Sequence, residues 1–198
     1  MKKLLVLAAV PALTLTLLTA PATAVPGKKV TGKNVPTASQ IAGVFPALKG
    51  NRADVARVAR LTLSISCQWG TLYRGAGLSA GYTTRKAQPQ IPVVHVTEST
   101  SAKKANTAVA RFGNEKKKCH RTGADPYRVT RISLPALGDQ RAGYSVVTRN
   151  DAGGPLHVTV IAYRKKTRII HATVLSDTKV SAARTKKLAR LVYRTGVK

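Results

Sequence analysis

The sequence predicts an α+β domain, with an antiparallel β-sheet of about five or six strands and helices packed on one face. Two Ala-rich segments, residues 101–119 and 179–195, have the apolar spacing of amphipathic helices. Four strand-like segments follow one another between residues 127 and 175, separated by short loops and turns. Successive strands without an intervening helix do not fit a doubly wound parallel sheet, so an antiparallel sheet covered by helices is expected.

The N-terminus has the pattern of a secretory signal peptide. Lys2 and Lys3 precede an apolar run from Leu4 to Leu18, and Ala22-Thr23-Ala24 forms a small-x-small cleavage site. An uncleaved membrane anchor is the alternative, which Pro11 and the cleavage site disfavour. We expect a signal peptide over 1–24, a flexible linker over 25–35 and the domain over 36–198. No span is expected after cleavage, and the protein would be secreted, extracellular or associated with the cell wall.

The first half of the domain begins with a short helix after Pro36, for which Thr37 is the candidate N-cap. Residues 51–60 fit either a helix or a strand, and the first secure strand runs from Leu61 to Trp69. The glycine-rich residues 70–86 indicate a turn and an irregular strand around 78–84. Two prolines confine the next strand to residues 93–98, and a capped helix follows over 101–119.

The second half predicts strands over 127–134 and 142–149, with a loop over 135–139 between them. A hairpin then pairs residues 156–163 with 168–175 across the polar turn 164–167. If Arg164 pairs with Thr167, His157 and His171 lie on opposite sides of the sheet. The closing helix over 179–195 is expected to bury one apolar face, formed by Val180, Ala183, the stem of Lys187, Leu188, Leu191 and Val192.

Cys67 and Cys119 are the two cysteines of the chain. In an exported protein the simplest expectation is one disulfide between them, because the compartment is oxidising. Two free thiols or a metal pair are the alternatives. A zinc site would need more Cys or His at short spacing than the pair Cys119-His120 supplies.

The charge is strongly basic, with 34 Lys and Arg against 7 Asp and Glu. Removal of Lys2 and Lys3 with the leader lowers the formal charge from +27 to +25. A solvated basic surface is one interpretation, and an anionic polymer such as teichoic acid or nucleic acid is the other. Nucleic acid is the less favoured partner, because aromatic residues make up 5% of the chain and no stacking platform is evident. The candidate polyanion-binding residues are Lys116, Lys117, Lys118, Arg164, Lys165, Lys166 and Arg168.

Catalytic motifs are weak in this sequence. Gly77-Leu78-Ser79-Ala80-Gly81 matches the G-x-S-x-G nucleophile elbow, but a strand-like stretch follows Ser79 where the elbow needs a helix. A serine hydrolase using Ser79 is therefore a minor alternative. The four histidines lie in different segments and the carboxylates are scattered, so we expect no metal site, no cofactor and no catalysis.

One family resemblance covers residues 36 to 197. The pattern Cys67-Gln68-Trp69 at a strand end, an Ala-rich helix ending in Cys119, the loop Leu137-Gly138-Asp139 and an Ala-rich C-terminal helix resembles actinobacterial extracellular sensor-type domains. These domains occur on PknH-type receptor kinases and in related small exported lipoproteins. The resemblance implies an antiparallel α+β domain with a disulfide and a ligand cleft. The chain departs from it in lacking a kinase and a lipobox cysteine, and in being more basic.

A cleft would need a wall, for which Trp69 is the first candidate. A tryptophan beside a disulfide is more often a core residue. As a cleft wall, Trp69 would have Tyr73, Tyr82 and Tyr144 as companions. We therefore expect a secreted, non-catalytic binding or sensor-like module of the cell envelope, whose partner is a small ligand or an anionic envelope polymer.

Overall fold

The computed structural model describes residues 30–62, 71–83, 90–114, 128–149 and 154–198. These residues form an α+β fold around one antiparallel sheet of seven strands. The strands are β1 (Arg52–Thr62), β2 (Thr71–Thr83), β3 (Gln90–Glu98), β4 (Arg128–Arg131), β5 (Gln140–Arg149), β6 (Pro155–Lys165) and β7 (Arg168–Ser176). Their order across the sheet is β1-β2-β3-β7-β6-β5-β4, so β7 lies in the centre, between β3 and β6. The predicted signal peptide and residues 25–29 of the predicted linker lie outside the described residues.

Three α-helices pack on this sheet in the described part of the chain: α1 (Ala38–Ala42), α2 (Ala102–Gly113) and α3 (Ala182–Gly196). Each begins at a side-chain cap; those at Thr37 and Ser101 were predicted, and that at Ser181 was not. Thr37 accepts a hydrogen bond from the Gln40 amide, and Ser101 and Ser181 do the same for α2 and α3. Two short 3-10 turns, Gly32–Asn34 and Pro46–Leu48, flank α1. None of the helices among the described residues is long and apolar enough to cross a membrane.

The helices lie on both faces of the sheet, so the expectation of helices on one face is wrong. On the α3 face, α1 and α3 cover a cluster that includes Ile41, Phe45, Tyr163, Ile170 and Leu188. On the α2 face, a smaller cluster of ten buried residues joins α2 to the central and outer strands. Both faces are apolar because successive side chains of β6 and β7 alternate between the two clusters.

Strand β2 corrects the interpretation of the glycine-rich segment as a turn with an irregular strand. It is a long strand paired with both β1 and β3, and its glycines permit a close approach. A Cβ atom at Gly75 would lie 2.4 Å from the Glu98 carbonyl oxygen, and one at Gly77 would lie 2.5 Å from that of Val96. The pairing with β2 also makes residues 52–60 a strand, which their sequence left undecided.

The β6–β7 hairpin is confirmed, but its register differs by two residues from the predicted one. Lys165 pairs with Arg168 across a two-residue turn in which Lys166 has a positive φ of 54°. His171 therefore faces Ala162 and His157 faces Ser176. A shift of two preserves the face of every side chain, so the two histidines still lie on opposite sides of the sheet.

Helix α3 buries a face slightly different from the predicted one. Leu188 and Val192 are buried as expected, together with Thr185, Ala189, Thr195 and Gly196. Ala183 is exposed, so its assignment to the apolar face is wrong. Lys187 is also exposed, and its Nζ donates a hydrogen bond to the carbonyl oxygen of Gly43 at 2.7 Å, which ties α3 to the end of α1.

Candidate functional site

The α2 face contains a cavity of about 430 Å³ between the C-terminal end of α2 and strands β4 and β5. Its apolar walls come from Phe112, Val129, Ala142 and Tyr144 on this face, and from Ile132 and Leu134 in the segment after β4. Cavities of this volume are in the range of small-ligand sites. Of the predicted cleft residues, Tyr144 lines this cavity.

Strand β5 contains a glycine, Gly143, at the point where the segment after β4 crosses it. A Cβ atom at Gly143 would lie 2.8 Å from Ile132 Cγ1 and 2.8 Å from Leu134 Cδ1. The Ile132 amide donates a hydrogen bond to the Gly143 carbonyl oxygen at 3.1 Å, so the chain continues along β5 after β4 ends. Gly143 thus allows Ile132 and Leu134 to cross closely over β5, where they join the α3-face cluster next to the cavity.

Two arginines supply the polar part of the cavity. Arg131 and Arg141 both line it, and both are exposed to solvent. Arg131 Nη2 lies 3.4 Å from the carbonyl oxygen of Gly113, at the end of α2. Arg131 pairs with Tyr144 and shares its face of the sheet, whereas Arg141 pairs with Tyr163 and lies on the α3 side. The Arg131 guanidinium beside an apolar floor favours a ligand with an anionic group and an apolar body. Neither arginine was predicted from the sequence, because nothing local in the sequence brings β4 and α2 together.

The other predicted cleft residues do not join Tyr144. Tyr82 is fully buried in the α3-face cluster, where its hydroxyl donates a hydrogen bond to the carbonyl oxygen of Pro36 and burial raises its pKa. Tyr82 and Tyr144 therefore lie on opposite faces, and the expectation that they share one cleft is wrong. Tyr73 pairs with Leu61 in the β1–β2 ladder. The side chain of Tyr73, and Trp69 altogether, lie outside the described residues.

A pair of histidines lies beside the cavity on the same face. The registers β2–β3 and β3–β7 place Ser79, His95 and His171 in one row across three strands. The two imidazole rings stack with centroids 5.4 Å apart, and the ring of Phe112 lies 4.9 Å from that of His171. Phe112 therefore connects the histidine pair to the cavity. The sequence analysis missed this pair, because the β3–β7 register is not encoded in local sequence.

Burial lowers the pKa of His95 to about 4, and burial followed by the neighbouring His95 lowers the pKa of His171 well below its usual value. Both shifts favour the neutral imidazole. His171 Nε2 lies 3.0 Å from the hydroxyl of Thr173, while the Nδ1 atoms of both histidines have no hydrogen-bond partner among the described residues. In the described ranges, no cluster of three His, Cys, Asp or Glu side chains forms here or elsewhere.

Ser79 does not lie at a nucleophile elbow. It is in the middle of β2, where it pairs with Ala56 on one side and His95 on the other. An elbow requires a sharp strand-to-helix turn, and a residue in a continuous ladder has extended backbone. Of the two glycines in the G-x-S-x-G match, Gly77 is needed for the close approach to β3, whereas a Cβ atom at Gly81 would meet nothing within 4 Å.

The predicted polyanion residues of the β6–β7 hairpin are largely paired with acids. Asp139 lies 3.5 Å from Arg164 Nη1 and 3.4 Å from Lys165 Nζ. The hydrogen bond from the Lys166 amide, at 2.6 Å, lowers the pKa of Asp139. Arg168 is 7% exposed and forms an ion pair with Glu98 at 2.9 Å, so its guanidinium is a core group and not a surface contact. Lys116, Lys117 and Lys118 lie outside the described residues, as do Cys67 and Cys119.

Comparison with known proteins gives a likeness of fold. The structure is similar to the extracellular domain of PknH from Mycobacterium tuberculosis, with a TM-score of 0.51 and 8% sequence identity. The match covers 83% of this chain and 94% of that one. No family model matches the sequence, and no curated protein does. The likeness therefore supports the predicted relationship at the level of fold, without sequence evidence.

Proposed function

We propose that this chain is an extracellular, non-catalytic binding module of the sensor type, and that it takes its ligand into the cavity between α2 and β4–β5. The observation that carries this proposal is the cavity itself, with apolar walls and two arginines at its polar side. The fold likeness to an extracellular domain and the predicted signal peptide support the location. A secreted or wall-associated protein would meet such ligands in the cell envelope.

The chemistry of the walls specifies the ligand class. Phe112, Val129, Ala142 and Tyr144 offer contact to an apolar body, while Arg131 can donate paired hydrogen bonds to a carboxylate, sulfonate or phosphate. The ligand is thus a small anionic amphiphile. Two observations support a non-catalytic role. Ser79 lies in a paired strand, and the Nδ1 atoms of His95 and His171 have no hydrogen-bond partner among the described residues.

Fluorescence of 8-anilinonaphthalene-1-sulfonate tests the proposal, because this probe combines an anionic group with an apolar body. We expect saturable binding to the folded protein and competition by decanoate. Arg131→Gln/Arg141→Gln should weaken binding at least about tenfold, since each lost charge-assisted contact is worth roughly 1.5 kcal/mol. Arg128→Gln is the matched control, because Arg128 is exposed on β4 without lining the cavity.

A second variant tests whether the ligand occupies the cavity, without removing any charge. Ala142→Leu would fill the cavity from the β5 side, and we expect it to abolish competition by decanoate while the melting temperature stays near that of the parent. Binding that survives both Ala142→Leu and the double arginine variant would overturn the proposal. Probe fluorescence accompanied by loss of the cooperative melting transition would indicate exposed core and not a ligand site.

A further inference from the structure

The solvent side of α3 carries three cations in line: Lys186, Arg190 and Arg194, here called the cation row. All three side chains are exposed, and each follows the previous one by four residues. Residues four apart lie on the same side of a helix, so the row forms one stripe. At 1.5 Å per residue, successive charges are about 6 Å apart along the helix axis and the row spans about 12 Å.

The remaining cations of α3 have a different role. Arg184 lies over the ring of Phe45, 5.9 Å from its centroid, and Lys187 donates to the Gly43 carbonyl oxygen. These two side chains contact the segment that follows α1 and tie the helix to it. Within the cation row, Arg194 Nε donates to the Arg190 carbonyl oxygen at 3.3 Å.

No carboxylate neutralises the cation row within the described part of the chain. The ion pairs there belong to Glu98 and Asp139, which bind the cations of the β6–β7 hairpin.

We propose that the cation row binds the extended backbone of a linear polyol-phosphate polymer. Regularly spaced phosphates along such a chain match a stripe of charges that repeats once per helical turn, and arginine can bind phosphate through two parallel hydrogen bonds. This site is separate from the cavity and does not depend on the proposed small ligand. We place the polymer here and not on the β6–β7 hairpin, because Arg164, Lys165 and Arg168 of that hairpin already have acidic partners.

The surroundings of the row favour a polymer without bases. Binding of single-stranded nucleic acid normally adds stacking of bases on exposed aromatic rings. The aromatic residue of α3, Tyr193, already packs edge-on against Tyr163 with centroids 5.4 Å apart. Among the described residues the large exposed hydrophobic side chains are Val55 and Val197, neither of which is aromatic.

The test compares two variants of equal charge by fluorescence anisotropy with a labelled glycerol-phosphate oligomer. One is Lys186→Gln/Arg190→Gln/Arg194→Gln. The control, Arg52→Gln/Lys103→Gln/Lys104→Gln, removes three exposed cations from β1 and α2. Titrations at several NaCl concentrations give the salt dependence. An oligodeoxynucleotide with the same number of phosphates, without secondary structure, serves as the second ligand.

We expect the row variant to bind at least about tenfold more weakly and to lose about 2 from the slope of log K against log salt, at roughly 0.7 per phosphate contact. The control should change affinity less than about threefold, within the non-specific effect of net charge. Equal losses in the two variants would overturn the proposal, because charge alone would then explain binding. Tighter binding of the oligodeoxynucleotide than of the glycerol-phosphate oligomer would overturn the choice of polymer. Melting curves of both variants verify folding.

Discussion

The two faces of the sheet are built differently although they share the same strands. On the α3 face, α1, α3 and two 3-10 turns cover a large apolar cluster, and its buried charges are paired: Glu98 with Arg168. On the α2 face, α2 covers a smaller cluster beside which lie a cavity and two buried histidines with unpartnered Nδ1 atoms. Fully satisfied polar groups indicate a structural role, whereas space and unsatisfied groups indicate a functional one.

The buried ion pair is the largest expected effect on the α3 face. Arg168 donates to Glu98 and, through Nη1, to the carbonyl oxygen of Gly196 at the end of α3, while Thr167 donates to the same carboxylate. Arg168→Met should destabilise the protein by ~3–5 kcal/mol, because it leaves a buried carboxylate without its cation. Urea unfolding measures the change in the free energy of unfolding.

The matched control lies three residues away. Lys165 is exposed and pairs with Asp139 at the surface, so Lys165→Met should cost less than ~1 kcal/mol. If the two substitutions lower the free energy of unfolding equally, the buried ion pair on the α3 face would be no more important to stability than the surface pair.

The predicted disulfide between Cys67 and Cys119 has the next largest expected effect. Cys67 follows β1 and Cys119 follows α2, so the bond would tie the segment after α2 to the sheet. It would close a loop of about 53 residues, for which the chain-entropy estimate is ~4 kcal/mol. Cys67→Ser should therefore lower the free energy of unfolding by several kcal/mol, as should reductant on the parent protein. Identical melting temperatures with and without dithiothreitol would show that the bond is absent.

Acid should weaken the α2 face through the histidine pair. Because burial lowers the pKa of His95 to about 4, the unfolded chain binds more protons than the folded one below pH ~6.5. The free energy of unfolding is therefore unaffected by this group above pH ~6.5 and decreases progressively as the pH falls. At pH 4 the decrease due to His95 alone is ~3 kcal/mol. Urea unfolding at pH 7, 6, 5 and 4.5 gives the slope.

Two substitutions identify the source of this slope. His95→Phe keeps an aromatic ring beside His171 and should reduce the pH dependence of unfolding, leaving the part due to the burial of His171. His157→Gln, on the opposite side of the sheet, should leave the slope as it is in the parent protein. A His95→Phe variant with the full parental slope would assign the acid sensitivity to carboxylates and not to the pair.

Local patterns predicted the parts of the fold that form from local contacts. The cap at Thr37, the helix after Ser101 and the β6–β7 hairpin each depend on residues within a few positions of one another. Residues 52–60 could not be assigned to a helix or a strand from their own sequence. Val55 is exposed, and it is the pairing with β2 that makes the segment a strand. Gly75 and Gly77 suggested a turn. In the structure they allow the backbone of β3, some twenty residues away in sequence, to lie close to β2.

The candidate site was predicted less well than the fold, for the same reason. Tyr144 was named, but its partners Phe112, Arg131 and Arg141 reach it from α2, β4 and β5. His95 and His171 stack because β3 and β7 are neighbours, a pairing between strands separated by more than seventy residues. The side of the sheet on which each helix lies depends on how the chain connects distant strands. The hydrophobic period of a helix does not specify this.

The most direct test of the contrast between the two faces is amide chemical-shift mapping by NMR, with decanoate titrated into the isotope-labelled protein. We predict saturable shifts at Gly113, Ala142, Gly143 and Tyr144 around the cavity, and unchanged amides at Leu188 and Val192 on the α3 face. The Arg131→Gln/Arg141→Gln variant should need at least about tenfold more decanoate for the same shifts. Shifts centred on the α3 face, or spread evenly over the sheet without saturation, would contradict the assignment of the ligand site to the α2 face.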